Sequence, residues 1–348
     1  MAGESAFAEA CTSMYSSIGH AEIGGGSKTK VYGMHFLCAD TACSACLGDA
    51  FLIRVEGLKK KFHNVTAVDG LSMEIPTGSV FAFLGTNGAG KSTTISCMTT
   101  SLPFDEGVIV INGNTVGKDD ERIRRDIGVV FQQSLLDPLA TPLENLRLRA
   151  GFYGVGRKIE ARIKELTQLV DLGSFASRRY GLLSGGQKRR VDIARALIHS
   201  PSVIFLDEPT AGLDPQSREQ VWDAINTLRE EQGLTVFLTT HYMQETENAD
   251  EVVIIDKGRR IAAGTPAELR SQHSRSVLTI QSSAHASLER TVKELGLAFE
   301  ARTDVFEIGV DSTKDALAVI TAHREHIGNF ELRHGTMDDV FLSLTGKA

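Results

Sequence analysis

The stretch Gly85-Thr86-Asn87-Gly88-Ala89-Gly90-Lys91-Ser92-Thr93 decides the fold of this chain. It follows the apolar run Val80–Leu84 and precedes a segment that begins as a helix. A strand, a glycine turn and a helix start form a cradle for phosphate, because glycines let backbone N–H groups approach an anion and the helix N-terminus adds its positive dipole end. We expect Lys91 to reach the β- and γ-phosphates of a nucleotide and the Ser92 hydroxyl to ligate Mg²⁺.

The composition is typical of a folded protein, and its charge does not favour binding to polyanions. Its 348 residues suggest two domains, and 42% hydrophobic residues are enough for a sizeable core. The net charge of −7 argues against nucleic acid as a partner. The basic runs 59–61 and 188–190 are short, and they are interpreted as solvated surface.

The sequence also lacks the patterns of membrane insertion and export. No apolar stretch approaches the roughly 18 residues that a membrane span needs. The N-terminus has no basic start followed by an apolar segment, so a signal peptide is not expected. We therefore expect a cytosolic protein, alone or docked to another component.

Composition shifts divide the chain into three parts. Residues 1–50 have no sustained periodicity and are interpreted as a poorly ordered extension. Their cysteines Cys38, Cys43 and Cys46 contain only one Cys-x2-Cys pair, so reduced thiols are favoured over a zinc site. Residues 51–270 form the nucleotide-binding part, and residues 271–348 suggest a small α+β domain without a chemical motif.

The order of elements in the middle part predicts an α/β fold. Short apolar runs that read as strands alternate with segments of helical periodicity, of which Thr141–Leu172 is the longest. Nearly continuous apolar strands separated by helices are typical of a mostly parallel sheet covered on both faces. With the glycine loop, this is the pattern of a P-loop NTPase.

Two further motifs surround the buried run Val203–Leu206. Asp207 and Glu208 follow it directly, so that Asp207 can serve Mg²⁺ and Glu208 can polarise a water for attack on phosphate. Upstream, Leu183 precedes a second glycine-rich helix start that can also bind an anion. This helix start reads Ser184-Gly185-Gly186-Gln187.

Together these motifs resemble the ABC-type ATPases, whose signature is Leu-Ser-Gly-Gly-Gln. The resemblance covers residues 51–269 and implies an antiparallel β-subdomain and a helical signature subdomain. It assigns the glutamine that contacts Mg²⁺ and the attacking water to Gln132, with Gln133 as the alternative. It assigns the D-loop aspartate to Asp214 and the histidine that contacts the γ-phosphate to His241.

The adenine-stacking aromatic of the family, usually tyrosine, is matched by Phe62, and His63 is the weaker candidate. Phenylalanine keeps the π-face that stacking needs. The resemblance further implies that ATP and Mg²⁺ lie between the glycine loop of one subunit and the Ser184–Gln187 segment of another. One set of motifs in the chain therefore predicts a dimer, either a homodimer or a pair with a paralogue.

The resemblance also implies what the ATPase drives. A single nucleotide-binding part without a membrane span is similar to the separate ATPase subunit of a transporter, bound to an integral-membrane permease at the cytoplasmic face of the membrane. In the family, the region that corresponds to residues 132–146 binds short helices of the permease. The C-terminal stretch Met337–Gly346 resembles drug exporters of the daunorubicin-resistance type. The alternatives are a soluble ABC ATPase acting on ribosomes or nucleic acid, and an importer subunit.

Overall fold

Strands and helices alternate along the part of the chain that the computed structural model describes, residues 51–154, 158–302, 305–310 and 312–346. The strands are β1 (Phe51–Phe62), β2 (Val65–Pro76), β3 (Val80–Gly85), β4 (Glu106–Ile111), β5 (Asn114–Thr115), β6 (Ile127–Val130), β7 (Val203–Asp207), β8 (Thr235–Thr240), β9 (Glu251–Asp256), β10 (Arg259–Gly264), β11 (Ser276–Ser282), β12 (Phe299–Arg302), β13 (Val305–Val310) and β14 (Ile327–Arg333). The helices are α1 (Lys91–Met98), α2 (Asp120–Asp126), α3 (Pro142–Phe152), α4 (Ile159–Leu169), α5 (Gly185–Ala196), α6 (Pro215–Gln232), α7 (Met243–Thr246), α8 (Pro266–His273), α9 (His285–Glu294), α10 (Thr313–His323) and α11 (Met337–Thr345), with a 3₁₀ turn at Tyr180–Leu182.

The central sheet has the strand order β10-β9-β3-β8-β7-β6. Strands β9, β3, β8, β7 and β6 are parallel, and β10 pairs antiparallel with β9 at one edge. Every residue of β3 and β8 is buried, as expected for strands covered on both faces. Because parallel strands end at the same edge, the loops after β3, β6, β7 and β8 all leave the sheet on one side.

The two faces of this sheet have different cores. Alternate residues of β3, such as Phe81 and Phe83, pack with Phe237 and the antiparallel sheet β2-β1-β4-β5. The rings of Phe81 and Phe237 stack with centroids 5.4 Å apart. Val80 and Leu84 face the other way, into a core shared with helices α3 to α6. Because successive side chains of β3 point to opposite faces of the sheet, this strand contacts the antiparallel sheet on one face and the helices on the other.

The C-terminal residues form a third sheet with the order β12-β13-β11-β14, in which every pair is antiparallel. Helices α9 and α10 cover it, in a β-α-β-β-α-β order with its own hydrophobic cluster. The final helix α11 differs, because its residues Met337, Val340 and Phe341 belong to the core of the central sheet. The domain boundary near residue 270 remains a prediction.

The predicted parallel, helix-covered sheet is confirmed, and the helical region Thr141–Leu172 forms α3 and α4. Helix α2 and strands β5, β10 and β12 were not predicted. Strand β10 is largely exposed and β5 has only two residues, so neither produces an apolar run. Helix α8 was also missed, although Thr265, Pro266 and Glu268 carry a capping-box pattern.

The prediction that both basic runs are fully solvated is wrong. Arg189 and Arg190 are buried on α5, and Lys60 is buried beside Asp105. Burial is possible because each head group finds an oxygen partner; Arg190, for example, donates to the Asp171 carboxylate over 2.9 Å.

The predicted N-terminal extension and its cysteines Cys38, Cys43 and Cys46 lie outside the described residues. Within the described ranges, no helix combines the length and the apolar character that crossing a bilayer requires.

Candidate nucleotide site

The glycine loop links β3 to α1 through backbone conformations that other residues adopt poorly. Gly90 caps α1 with φ of 108°, and a Cβ there would lie 2.4 Å from the Ala67 carbonyl oxygen. A Cβ on Gly85 would lie 2.7 Å from the Ile255 carbonyl oxygen. Among the described residues, no side chain caps α1. Its first-turn N–H groups can therefore donate to an anion.

Lys91 is the first residue of α1 and is only 5% exposed. Its ammonium donates to the carbonyl oxygens of Gly85 (2.7 Å) and Thr86 (3.3 Å). It also lies 3.3 Å from Oε1 of Glu208. The cation is thus held by the loop, beside the carboxylates at the end of β7.

Thr239 holds the Asp207 carboxylate and the Glu208 backbone, and sequence reasoning missed it. Strand β8 lies next to β7, with Asp207 paired to Thr239. The Thr239 hydroxyl donates to Asp207 Oδ1 over 2.7 Å and accepts the Glu208 N–H over 3.0 Å. The signal in the sequence was weak, because Thr239 is one of three threonines in β8, and the pairing of β7 with β8 was needed to interpret it.

Asp207 and Glu208 have different surroundings although they are neighbours in sequence. Asp207 Oδ1 accepts a hydrogen bond of 3.4 Å from the Ser92 hydroxyl. Glu208 has φ of 47°, a conformation uncommon for a residue with a side chain. This turn ends the extended strand, and the Glu208 carboxylate lies near Lys91 instead.

Two more predicted residues reach the Glu208 carboxylate. Gln132 follows β6, and its Nε2 donates to Glu208 Oε2 over 3.5 Å, although Gln132 and Gln133 are both exposed. His241 follows β8, and its Nδ1 lies 3.2 Å from Glu208 Oε1. Within the described residues this nitrogen makes no aligned hydrogen bond. The edge of the parallel sheet therefore brings Gln132, Glu208 and His241 together.

The signature segment has a different geometry from the glycine loop. Ser184 caps α5: its hydroxyl accepts the Gln187 N–H over 3.3 Å, and the Gln187 side chain accepts the Ser184 N–H over 3.1 Å. A Cβ on Gly186 would lie 2.6 Å from Cβ of Ser217, while one on Gly185 would meet the Leu213 side chain. In the described residues, no hydrogen bond or ion pair joins 184–187 to 85–93. These two glycine-rich helix starts are not brought together within one chain.

Helix α5 is nevertheless tied to the loop that carries Gln132. Arg189 donates to the carbonyl oxygens of Phe131 (2.7 Å) and Gln132 (3.2 Å). Asp192 accepts from the hydroxyl of Ser134 over 2.8 Å. Burial lowers the pKa of Arg189 and raises the pKa of Asp192. This polar network was also missed, because its partners lie nearly 60 residues apart in sequence.

Among the described residues, Phe62 and Asp214 form no hydrogen bond with the glycine loop or with the Glu208 side chain. Phe62 ends β1 and is 43% exposed, and the Lys60 ammonium lies 5.3 Å from its ring centroid. Asp214 caps α6, accepting the Ser217 N–H (2.9 Å) and hydroxyl (2.7 Å). Hydrogen bonds from the side chain and backbone of Ser217 hold the pKa of Asp214 below its ordinary value.

A cavity of about 640 Å³ lies between the Gln132 loop, β6 and α3. Its lining includes the exposed side chains Leu135, Leu148 and Phe152. Arg149 and His199 also contribute to it. Burial lowers the pKa of His199 to about 4, so its imidazole is neutral at physiological pH. The cavity thus has an apolar surface with a cationic margin.

Comparison with known proteins identifies this arrangement. A sequence model described as ABC transporter matches residues 68–211. The daunorubicin/doxorubicin resistance ATP-binding protein DrrA of Streptomyces peucetius is 38% identical over 84% of this chain and 92% of that protein. This chain belongs to the ABC transporter family. It is an ATP-binding subunit and an ATPase.

Two further matches agree with this assignment. The linearmycin resistance ATP-binding protein LnrL of Bacillus subtilis (strain 168) is 35% identical over 85% of this chain and 99% of that protein. A dimeric ATP-binding cassette solved in a post-hydrolysis state with ADP and Pi has a TM-score of 0.56 and 30% identity. It covers 61% of this chain and 98% of that structure. ABC ATP-binding subunits form dimers and work with membrane permeases, as the resemblance implied.

Proposed function

We propose that this ABC subunit powers export of a hydrophobic drug or lipid-like compound through a separate permease, at the cytoplasmic face of the membrane. The proposal is supported by similarity, along most of the chain, to ATP-binding proteins named for daunorubicin/doxorubicin and linearmycin resistance. The one observation that carries the chemistry is the cluster around Glu208. It places a cation, an amide and an imidazole around one carboxylate.

In the proposed reaction, the backbone N–H groups of Gly85–Thr93 and the Lys91 ammonium bind the phosphates of ATP. Stacking of adenine on the exposed ring of Phe62 holds the base. Glu208 accepts a proton from the water that attacks the γ-phosphorus, and Gln132 orients that water. His241 donates a hydrogen bond to the γ-phosphate and fixes the Glu208 carboxylate.

The residues present fit a magnesium ion. Ser92 and Asp207 supply hard oxygen donors only 3.4 Å apart, and the Gln132 side chain carries a third oxygen donor near the same edge. These three residues would hold the ion. When bound, Mg²⁺ supplies charge neutralisation on the phosphate oxygens. The Thr239 hydroxyl keeps Asp207 oriented for this task.

The second half of the site would come from a second subunit, and a homodimer is the simplest assembly. Ser184, Gly185, Gly186 and Gln187 present a helix N-terminus to anions. Asp214 would lie close to the same interface. Because this segment makes no hydrogen bond with the glycine loop of its own chain among the described residues, we infer that it closes over the ATP of its neighbour.

The permease would dock in the cavity beside the Gln132 loop. The exposed leucines and Phe152 can bury an apolar face, and Arg149 at the margin can pair with a carboxylate of the partner. The loop that lines the cavity carries Gln132, which contacts Glu208. Docking and hydrolysis would therefore be connected through a single loop.

The variant Glu208→Gln tests the proposed chemistry. Loss of the base should reduce ATP turnover by about 10²- to 10⁴-fold, while ATP binding stays intact. With Mg-ATP the variant should accumulate as a dimer in size-exclusion chromatography with light scattering, and EDTA should dissociate it. Glu219→Gln, on the exposed surface of α6, is the control. A monomer at saturating Mg-ATP would contradict the composite site.

The pair Leu148→Asp and Phe152→Asp tests the docking surface. Both variants should keep basal ATPase activity and lose association with membranes that contain the permease, measured by co-sedimentation. Leu317→Asp places the same charge on an exposed leucine of α10 and serves as the matched control. Recovery of the wild-type protein with ribosomes or nucleic acid instead of membranes would favour a soluble ABC ATPase.

A further inference from the structure

Arg218 on α6 has no part in the mechanism above, yet it contacts Tyr242 and Glu245, which follow His241 in the sequence. Its guanidinium carbon lies 4.9 Å from the ring centroid of Tyr242, and its Nε lies 4.0 Å from Oε1 of Glu245. Glu245 is only 2% exposed. Neither of its oxygens has an aligned hydrogen-bond partner among the described residues.

Tyr242 connects this pair to the hydrolytic residues. Its ring lies 4.0 Å from the His241 ring, centroid to centroid, with an interplanar angle of 38°. His241 Nδ1 in turn lies 3.2 Å from Glu208 Oε1. A continuous series of contacts therefore runs from Arg218 through Tyr242 to His241 and Glu208.

Contacts at the start of α6 hold the backbone near Arg218 in place. The preceding residue, Ser217, donates from its N–H and its hydroxyl to Asp214. It also packs so closely on Gly186 that a Cβ there would lie 2.6 Å from Ser217 Cβ. Because Arg218 projects from a turn held on two sides, it can restrain Tyr242 without moving itself.

We propose that Arg218 and Glu245 form a positioning pair that holds Tyr242 against His241, and so keeps the imidazole oriented toward Glu208 and the γ-phosphate. The inference rests on the proposed function of His241. It assigns a role to a buried carboxylate whose one ion pair among the described residues is with Arg218. Such a pair adds little stability by itself, and fixing a geometry is the use that best accounts for its burial.

Burial raises the pKa of Glu245, while the Thr240 side chain and the nearby charge of Arg218 oppose this change. Without Arg218, the Glu245 carboxylate would lose its nearest counter-charge, and the Tyr242 ring would lose a cation–π contact. Both changes free the Tyr242–His241 unit to rotate. The phosphate-binding loop is not touched, so ATP binding should not change.

The test compares steady-state ATPase kinetics and equilibrium ATP binding of Arg218→Gln with those of the wild type. The kcat should fall roughly tenfold or more, since small displacements of a catalytic group are costly, while KM and the Kd for ATP stay within about twofold. The double variant Arg218→Gln/Glu245→Gln should be no slower than Arg218→Gln alone, because the two residues act as one unit. Arg229→Gln removes an ion pair with Asp250 at the far end of the same helix and should not lower kcat.

Tyr242 provides an independent measurement if Arg218→Gln does not fold. Tyr242→Ala should lower kcat like Arg218→Gln, and Tyr242→Phe, which keeps the ring, should restore most of it. An unchanged kcat in Arg218→Gln, or an equal loss in Arg229→Gln, would overturn the positioning role. If Glu208→Gln dimerises with Mg-ATP and Arg218→Gln is fully active, only this inference fails. If Glu208→Gln stays monomeric, the proposed function fails first.

Discussion

The two glycine-rich helix starts that we propose bind the nucleotide are built in opposite ways. The N-cap residue of α1 is Gly90, and among the described residues no side chain caps this helix. The N-cap residue of α5 is Ser184, which forms a complete capping box with Gln187. The first helix leaves its N–H groups to an incoming anion, whereas the second already satisfies some of them internally.

The difference suggests an order of events. Phosphate can bind at α1 without breaking a hydrogen bond of α5. At α5, the Ser184 hydroxyl oxygen accepts the Gln187 N–H, while its own proton can donate to a phosphate oxygen. Among the described residues, however, this segment makes no hydrogen bond with the glycine loop of its own chain, so that phosphate would belong to a second subunit. We therefore expect α1 to determine ATP affinity in the single subunit and α5 to contribute only when two subunits meet.

The largest effect is expected at α1. Lys91→Ala removes a cation hydrogen-bonded to the loop and paired with Glu208. Loss of an interaction with charged phosphate costs about 1.5–3 kcal/mol, so ATP affinity should fall roughly 10- to 100-fold in isothermal titration calorimetry. Lys59→Ala, which removes a cation from an exposed surface pair with Glu106, should leave the affinity unchanged. Equal losses in both variants would show that the effect is one of overall charge.

A smaller effect, confined to turnover, is expected at α5. Ser184→Ala should leave the ATP affinity of the single subunit unchanged. It should lower ATP turnover by roughly tenfold, the value of one hydrogen bond to a charged oxygen. Turnover assays at saturating ATP, combined with calorimetry under conditions that keep the subunit monomeric, separate the two quantities. A fall in the ATP affinity of the monomer would contradict the separate roles proposed for α1 and α5.

Loss of the Ser184 cap should have a separate and still smaller effect, on the stability of the subunit. In the absence of nucleotide, Ser184→Ala should lower the free energy of unfolding by about 1 kcal/mol, or the Tm by about 2 °C. Thr265→Ala removes the equivalent capping box of α8 and should cost as much. This second variant should hydrolyse ATP normally, so thermal denaturation and ATPase assays together distinguish a cap from an anion site.

The smallest effect is expected for the cap of α6. This helix differs from α1 and α5, because its N-cap residue Asp214 is negatively charged and would repel an anion. The pKa of Asp214 is lowered in the folded state by its bonds from Ser217. Its stabilising contribution is therefore fully present above the unfolded pKa and decreases as the pH falls through the folded pKa. Asp214→Asn should be slightly less stable than the wild type at pH 7, and this difference should shrink below about pH 4. Urea denaturation at both pH values measures it; a difference independent of pH would exclude a role for the charge.

Much of the site could be predicted because its motifs are local. The glycine loop, the carboxylates after β7 and the signature helix each lie within a few consecutive residues, next to apolar runs that fix their place on a strand or helix. The choice of Gln132 over Gln133 also followed a local rule, since Gln132 comes first after the apolar run, and it is Gln132 that contacts Glu208.

The missed residues have partners that are distant in sequence. Thr239 could be recognised only when β8 was known to pair with β7, and Arg189 only when α5 was known to lie against the Gln132 loop. From the sequence alone, Arg189 is predicted to belong to a solvated basic run. Its burial became apparent only from the carbonyl oxygens that receive its hydrogen bonds.

By itself, the sequence determined the parallel sheet, the phosphate-binding loop and the identity of the acidic pair, because strand periodicity and glycine conformations are local properties of the chain. The tertiary structure alone decided how Glu208 is surrounded by Lys91, Gln132 and His241, and which buried side chains hold them. Those contacts depend on strand order, and strand order is a result of packing the whole core.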